Sequence, residues 1–176
     1  QVFFGYYDVT PLNRDDSRLL ALRVPSSNAG SAAASAAQVG YFVVGESAPH
    51  YEVLGETETW CWQQGCRLQW YPASEQGTNG LVLYNQAVGA RCGCVIQDVA
   101  TKKIVARWPR PLYAVSPDGR YGLSLDFARL HRLRPGYGYS NFPDATAGQA
   151  APDASGIWRI DLQTGAEELL FSVARM

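Results

Sequence analysis

Short runs of alternating apolar and polar residues, separated by polar turns, recur along the 176-residue chain. The clearest run is residues 121–125 (Tyr-Gly-Leu-Ser-Leu), which follows residues 116–119 (Ser-Pro-Asp-Gly). Because Pro presets the turn and Gly supplies a positive φ, these residues predict a tight turn between two antiparallel strands. The same order of turn and strand occurs at residues 14–22, and again at residues 77–84 with Asn-Gly in place of Asp-Gly.

A second element, a pair of antiparallel strands joined by a turn, follows each of these runs. Residues 94–105 and 157–166 both contain Asp-x-x-Thr at the turn, and residues 41–44 with 51–54 fill the same place in the first unit. Each unit therefore carries four antiparallel strands in about 40–60 residues, which is typical of a β-propeller blade. A meander of separate hairpins is the structural alternative. We predict an all-β chain with consecutive four-stranded antiparallel blades at residues 3–56, 60–108 and 111–173.

Helical signals are nearly absent from the chain, since no stretch combines a helical period with caps at both ends. Residues 31–37 are rich in Ala but have no apolar face to bury, so we predict a low-complexity loop there. Residues 128–155, between the second and third strands of the third blade, are predicted to be a long loop insertion. A loop of this length in a compact domain is usually functional or disordered. Its tyrosines and arginines favour function.

The turn at residues 116–119 and the strand pair at residues 157–165 (Ile-Trp-Arg-Ile-Asp-Leu-Gln-Thr-Gly) resemble the repeats of TolB-like β-propellers. The likeness covers most of the chain and is strongest in the third blade. In its layout the chain also resembles oligogalacturonate lyase-like propellers. That second resemblance implies a metal held mainly by histidines, but the chain has only His50 and His131, in different loops. We therefore predict no metal site and no cofactor.

Three blades are too few to close a ring, since propellers have about four to eight blades. An open array would leave two unpaired sheet edges, which invite association with other chains. The sequence starts at Gln1 without an initiator Met and ends at Met176. We therefore expect missing blades to complete a larger ring, or copies of the chain to associate and close it.

Charge and hydropathy narrow the range of partners. The formal net charge of −1 gives no general attraction to nucleic acid or to an anionic membrane, and neither is predicted as a partner. No apolar run reaches the roughly 18 residues of a membrane-spanning helix. The sequence shows no recognisable targeting segment, so it leaves the compartment open.

The four cysteines, Cys61, Cys66, Cys92 and Cys94, do not have the spacing of a zinc ribbon. We interpret them as free thiols that act as small apolar residues on strands. The alternatives are a Cys61–Cys66 disulfide and a metal site completed by a histidine.

In a propeller, the loop between the second and third strands opens on the same face as the connections between blades, and this face usually binds ligands. Arginine offers a planar fork for carboxylate, sulfate or phosphate, and tyrosine offers a flat face and a hydroxyl for sugar. As an alternative, the arginines of the insertion could pair internally with Asp126, Asp144 and Asp153. The alternative role of the tryptophans is packing between blades. The candidate ligand-binding residues are Tyr7, Trp62, Arg67, Arg110, Arg129, His131, Arg134, Tyr137 and Tyr139.

These residues predict a ligand-binding propeller that recognises an anionic saccharide or a similar small anion, held by arginine rather than by metal. The insertion is expected to bring Arg129, His131 and Arg134 close to Trp62 and Tyr7. His131 is the candidate catalytic base, with lyase chemistry as the reaction. The sequence has no nucleophile elbow, P-loop or dinucleotide-binding fingerprint. The alternative function is a non-catalytic scaffold that binds an acidic or aromatic peptide on the same face.

Overall fold

The described part of the chain folds into three four-stranded antiparallel sheets, each built from strands that follow one another in the sequence. The computed structural model describes residues 1–25, 35–45, 47–72 and 80–176. The first sheet contains β1 (Val2–Phe3), β2 (Arg18–Arg23), β3 (Ala37–Val43) and β4 (Tyr51–Thr57). The second contains β5 (Gln69–Trp70), β6 (Leu81–Val88), β7 (Arg91–Asp98) and β8 (Ile104–Trp108). The third contains β9 (Ala114–Val115), β10 (Tyr121–Ser124), β11 (Gly156–Asp161) and β12 (Glu167–Ser172). The prediction of an all-β chain with three such units is confirmed.

The second sheet lies between the other two and is buried on both faces. In β6, Val82 and Tyr84 belong to the apolar cluster shared with the first sheet, whereas Leu83 belongs to the cluster shared with the third. In β7, Val95 and Ile96 divide between the two clusters in the same way. Successive side chains on a strand point to opposite faces of the sheet. The apolar runs of β6 and β7 therefore form two cores at once.

The side chain of Arg67 links the segments next to the first strands of all three sheets. Its guanidinium donates two hydrogen bonds of 3.0 Å to the carboxylate of Asp8, which follows β1. It donates two more, of 2.9 and 2.7 Å, to the main-chain carbonyl of Tyr113, which precedes β9. Arg67 itself precedes β5, and its side chain is only 2% exposed. The planar, five-donor guanidinium suits a site where a carboxylate and a carbonyl converge.

Asn85 forms a second buried connection, in the middle of β6. Its side-chain amide donates to the Leu112 carbonyl at 2.9 Å and to the Tyr139 hydroxyl at 2.8 Å, and its side-chain oxygen accepts from the Leu112 amide at 2.8 Å. Its main-chain carbonyl accepts from the Thr57 hydroxyl at 2.9 Å, and its main-chain amide donates to the Cys66 carbonyl at 2.7 Å. One fully buried residue thus joins β4, two inter-sheet connections and the insertion.

The turns with the Asp-x-x-Thr pattern are closed by their aspartates. A carboxylate oxygen of Asp98 accepts from the main-chain amide and the hydroxyl of Thr101, at 2.7 and 2.8 Å. In the third sheet, Asp161 accepts from the main-chain amides of Thr164 and Gln163, at 3.0 and 2.9 Å. Because hydrogen-bond donors favour the charged carboxylate, these amides lower the pKa of Asp98 and of Asp161 below the ordinary value.

The insertion contains a helix that the sequence analysis did not predict. The helix α1 (Phe127–Leu133) begins where the Asp126 side chain accepts a hydrogen bond from the Arg129 main-chain amide. At seven residues it is too short to show a helical period, and its stability comes from burial of Phe127 against the rest of the molecule. The prediction of a loop throughout residues 128–155 is therefore wrong at this point. A short 3-10 helix, Val173–Arg175, follows β12.

Two other predicted loops lie partly outside the described residues. The first is the low-complexity loop predicted at residues 31–37, of which residues 31–34 lie outside the described ranges. Its last residue, Ala37, is not in a loop: it is fully buried and begins β3. Of the predicted turn at residues 77–80, only Gly80 is described, and it has a φ of +67°. No helix within the described residues is long and apolar enough to cross a membrane.

The contacts of Arg67 predict a large effect of its loss on stability. Arg67→Met removes the charge partner of Asp8 and leaves the buried Tyr113 carbonyl without its donors. Breaking a buried ion pair costs about 3–5 kcal/mol, and the partial exposure of Asp8 reduces this, so we expect a loss of about 2–4 kcal/mol. Urea denaturation at neutral pH measures it. Arg14→Met, at an exposed turn, is the matched control and should change stability by less than about 0.5 kcal/mol. Equal effects of the two substitutions would contradict the role assigned to Arg67.

The lowered pKa values of Asp98 and Asp161 predict a loss of stability in acid. A carboxyl whose pKa is lower in the folded chain stabilises it above the unfolded pKa of about 3.9, and this contribution disappears as the pH falls through the folded value. The urea midpoint should therefore decrease below about pH 4. The double variant Asp98→Asn, Asp161→Asn should show a smaller decrease. Asp153→Asn, at an exposed residue with no side-chain hydrogen bond in the described ranges, should keep the wild-type profile. A double variant as acid-sensitive as the wild type would refute this account.

Candidate functional site

The insertion between β10 and β11 reaches back to segments that belong to the other two sheets. The carbonyl of Gly136 accepts a hydrogen bond of 3.4 Å from the main-chain amide of Gln63, in the connection between the first and second sheets. The ring of Tyr137 meets the edge of the Tyr6 ring, with centroids 6.3 Å apart. Tyr6 lies between β1 and β2. These contacts place the insertion against the connection between β1 and β2 and against the connection between the first and second sheets.

The base of the insertion is an aromatic stack rather than an open surface. The rings of Phe127 and Tyr139 are parallel within 8°, with centroids 4.4 Å apart, and the Tyr139 side chain is fully buried. The backbone passes so close at Gly138 that a Cβ there would lie 2.0 Å from the Phe127 carbonyl oxygen. Burial raises the pKa of the Tyr139 hydroxyl well above its ordinary value. Tyr139, a predicted ligand-binding residue, therefore lies in the core.

Two arginines of the insertion are bound within it, and one of them, Arg132, pairs with Asp144 as the alternative of internal pairing had proposed. Arg129 is buried and donates to the carbonyls of Gln149 and Ala150, at 3.1 and 2.9 Å. Arg132 donates at 2.6 Å to Asp144, whose side chain is 4% exposed. Burial by itself raises the pKa of Asp144, but the hydrogen bonds from Arg132 and Thr146 together outweigh it, so the pKa lies below its ordinary value. These pairs hold the insertion in one conformation.

Three other predicted site residues are engaged elsewhere in the fold. The Trp62 ring packs against Phe3, with centroids 5.1 Å apart, and so has the packing role that was its alternative. Arg110 donates to the Glu167 carboxylate and lies 3.6 Å from the centre of the Trp158 ring. Arg67 is fully occupied by its contacts beside the three sheets.

His131, the candidate base, lies half-buried on α1. Its Nδ1 is buried and has no hydrogen-bond partner among the described residues. A histidine that acts as a base is usually oriented by an acceptor on its other nitrogen. Within the same part of the chain, no group of three or more His, Cys, Asp or Glu side chains is placed to hold a metal ion.

All four cysteines are free thiols, and the alternative Cys61–Cys66 disulfide is not formed. Burial raises the pKa of the Cys61, Cys66 and Cys92 thiols, and it raises the pKa of Cys94 to about 12. They are therefore protonated near neutral pH, and neutral thiols are poor nucleophiles and poor metal ligands.

Four partly or largely exposed side chains come together at the C-terminal end of α1, in a group that we term the tyrosine–arginine cluster: Tyr6, Tyr7, Arg134 and Tyr137. The rings of Tyr6 and Tyr7 stack with centroids 4.3 Å apart, and Tyr7 is 87% exposed. Arg134 lies 3.9 Å from the centre of the Tyr137 ring. A hydrogen bond from the Tyr6 hydroxyl to that of Tyr7 is the main cause of a raised pKa at Tyr6.

A tight turn holds the two residues of the insertion in this cluster. The main-chain amide of Tyr137 donates to the Arg134 carbonyl at 3.2 Å, and Gly136 has a φ of +92°. Within the described residues the Arg134 guanidinium makes no hydrogen bond and no ion pair, so the ring of Tyr137 is its recorded contact. The stacked guanidinium keeps its N–H groups available for an anion.

The sequence therefore identified three of the four members of the cluster. It selected Tyr7, Arg134 and Tyr137, and it did not select Tyr6, although Tyr6 precedes Tyr7 in the same short connection. In a strand, neighbours point to opposite faces, but these two tyrosines lie outside any strand and stack on each other. The aromatic pair in a Gly-Tyr-Tyr-Asp segment was the available signal.

Comparison with known proteins does not assign the chain to a family. No protein-family model matches it, and no curated protein matches it.

The different surroundings of Arg132 and Arg134 predict that their replacement has unequal effects on stability. Arg132→Ala leaves the nearly buried Asp144 carboxylate without its cation, which should cost about 1–3 kcal/mol and increase amide hydrogen exchange in residues 134–150. Arg134→Ala removes a group without a charged partner in the described ranges and should change stability by less than about 0.5 kcal/mol. Thermal unfolding and hydrogen exchange of both variants measure the difference. A larger loss in Arg134→Ala would show that Arg134 is the structural residue.

Proposed function

We propose that this chain is part of a β-propeller of the TolB-like kind and that its tyrosine–arginine cluster binds an anionic saccharide or a similar small anion. The observation that supports the binding proposal is that Arg134 stacks on an aromatic ring and has no acidic partner in the described ranges. Its guanidinium rests on the Tyr137 ring, beside the stacked pair of Tyr6 and Tyr7, and has no acidic partner within the described residues. Asp8, the acid next to this pair in the sequence, is already bound to Arg67.

Two features support the propeller architecture. The three sheets stack face to face in chain order, with apolar clusters between the first and second and between the second and third. The contacts of Arg67 tie together the beginnings of the three sheets, as expected if the first strand of each blade lies nearest a common axis. Closing a ring from such blades needs further blades or a second copy of the chain.

The chemistry of the cluster fits an acidic sugar. Tyrosine rings offer flat apolar faces that pack against the C–H faces of a pyranose, together with hydroxyls for its polar edge. The arginine fork matches a uronate carboxylate, and each charge-assisted hydrogen bond contributes about 1.5–3 kcal/mol. The Tyr7 ring, which is 87% exposed and stacks on Tyr6, adds aromatic surface to the cluster and suits an oligosaccharide better than a single small ion.

Binding without catalysis is the form of the proposal that the site favours. A β-elimination needs a base placed at the substrate, and His131 has neither an orienting partner in the described ranges nor a carboxylate beside it. We therefore assign no catalytic residue. The scaffold alternative, binding of an acidic peptide by the same cluster, is tested in the same experiment.

Calorimetric titration of a short oligogalacturonate against the chain tests the proposal. We expect binding that weakens at high salt, and about a tenfold or greater loss of affinity in Arg134→Ala. Arg134→Lys should recover part of the loss, because a lysine keeps the charge but lacks the fork. Arg14→Ala, which removes the same charge from an exposed turn between β1 and β2, is the control and should bind as the wild type does.

Several outcomes would reject the saccharide proposal. One is equal binding of a neutral galacto-oligosaccharide, and another is unchanged affinity in Arg134→Ala. Tighter binding of an acidic peptide, sensitive to Arg134, would favour the scaffold. An increase in the absorbance of unsaturated uronate during incubation would show lyase activity and reject binding without catalysis.

A further inference from the structure

A cavity of about 320 Å³ lies at the other end of α1 from the tyrosine–arginine cluster. Its walls come from the turn between β6 and β7, from the connection between the second and third sheets, and from the start of the insertion. Residues 126–128 line it, whereas Arg134 follows the last residue of the helix. A seven-residue helix is about 10 Å long, so the two sites are separate.

Apolar and polar groups contribute about equally to the cavity wall. Phe142, Leu125, Pro111 and Trp158 form its apolar part, and Phe127, which also lines the cavity, is almost fully buried. The thiol of Cys92 also lines the cavity, and it is neutral near pH 7 because burial raises its pKa. A cavity of this volume with such a wall suits the body of a small aromatic or branched aliphatic molecule.

The acidic groups at the cavity already have partners. The carboxylate of Asp126 accepts from the Arg129 main-chain amide at 3.0 Å and from the Ser155 hydroxyl at 3.2 Å. Glu167 is paired with Arg110, which lies on the face of the Trp158 ring. These contacts fix the polar part of the wall in place.

One charged group at the cavity is not used in this way. Arg91 is exposed at the start of β7, next to the turn from β6, and its guanidinium makes no hydrogen bond or ion pair within the described part of the chain. The site thus combines a partly apolar wall with one available cation. The nearby carboxylates of Asp126 and Glu167 disfavour a dianion such as a phosphate monoester, because like charges repel in a partly desolvated site.

We propose that this cavity binds a small monocarboxylate with an aromatic or branched aliphatic body. The body packs against Leu125, Phe142 and Trp158, and the carboxylate pairs with the Arg91 guanidinium in the bidentate geometry that arginine provides. The ligand class and the residues differ from those of the tyrosine–arginine cluster. This inference therefore does not depend on the function proposed for that cluster.

Titration with 2-naphthoate and with its neutral analogue 2-naphthamide tests the inference, because the two probes share a body and differ in charge. We expect 2-naphthoate to bind about tenfold or more tightly than 2-naphthamide. In Arg91→Ala the affinity for 2-naphthoate should fall to that for 2-naphthamide, which should itself be unchanged. Calorimetry gives the affinities, and amide chemical shifts of residues 125–128 and 142–145 locate the probe.

A second variant tests the cavity itself. Ala145 is exposed at its mouth, and Ala145→Phe should fill the space and abolish binding of both probes without disturbing the core. Arg14→Ala, which removes a charge far from the cavity in the sequence, should bind both probes as the wild type does. The inference is overturned if neither probe binds up to its solubility limit, if Arg91→Ala binds 2-naphthoate as the wild type does, or if the shifted amides lie elsewhere.

Discussion

The hydrogen bonds of the Arg67 guanidinium to Asp8 and Tyr113 are the constraint on which the arrangement of the three sheets depends. The first strand of each sheet has only two residues, too few to fix its own position by ladder hydrogen bonds. A buried cation is costly to desolvate, and good geometry with several acceptors is needed to repay that cost. The Asp8 carboxylate and the Tyr113 carbonyl can both accept hydrogen bonds from Arg67 only when the first strands of the three sheets lie close together, as they do here. The arginine therefore favours one arrangement of sheets whose apolar faces alone would tolerate several.

Asn85 extends this constraint from the sheets to the insertion. A buried amide has two donors and an acceptor to satisfy, and here Leu112 and Tyr139 satisfy them. Tyr139 in turn stacks on Phe127, the first residue of α1. The helix that separates the two candidate sites is thus anchored to the second sheet by one polar contact and one aromatic contact. Rigid support of this kind gives exposed side chains at both ends of the helix defined positions.

The arginines near the connections divide into two groups by their surroundings. Arg129 and Arg132 satisfy carbonyls and a nearly buried carboxylate, so their charge stabilises the insertion. Arg91 and Arg134 lie at the rims of a cavity and an aromatic cluster, and neither has an acidic partner in the described ranges. The same side chain thus serves the fold or a ligand, according to whether an acceptor from the chain reaches it. Both proposed sites are expected to bind an anion because each has an arginine without an acidic partner in the described ranges.

The sequence by itself determined the strands and turns, because these depend on neighbours close in the chain. The tight turn at residues 116–119 between two antiparallel strands, and the turn at Asp98 and Thr101, were predicted from local pattern and are observed. The cluster was predicted in part, since Tyr7 and Arg134 are exposed residues of types that bind sugars and anions. Only the tertiary structure decided that α1 forms and which arginines are used internally. Both depend on contacts between residues far apart in the chain, such as the pairing of Arg67 with Asp8, and no local period records such contacts.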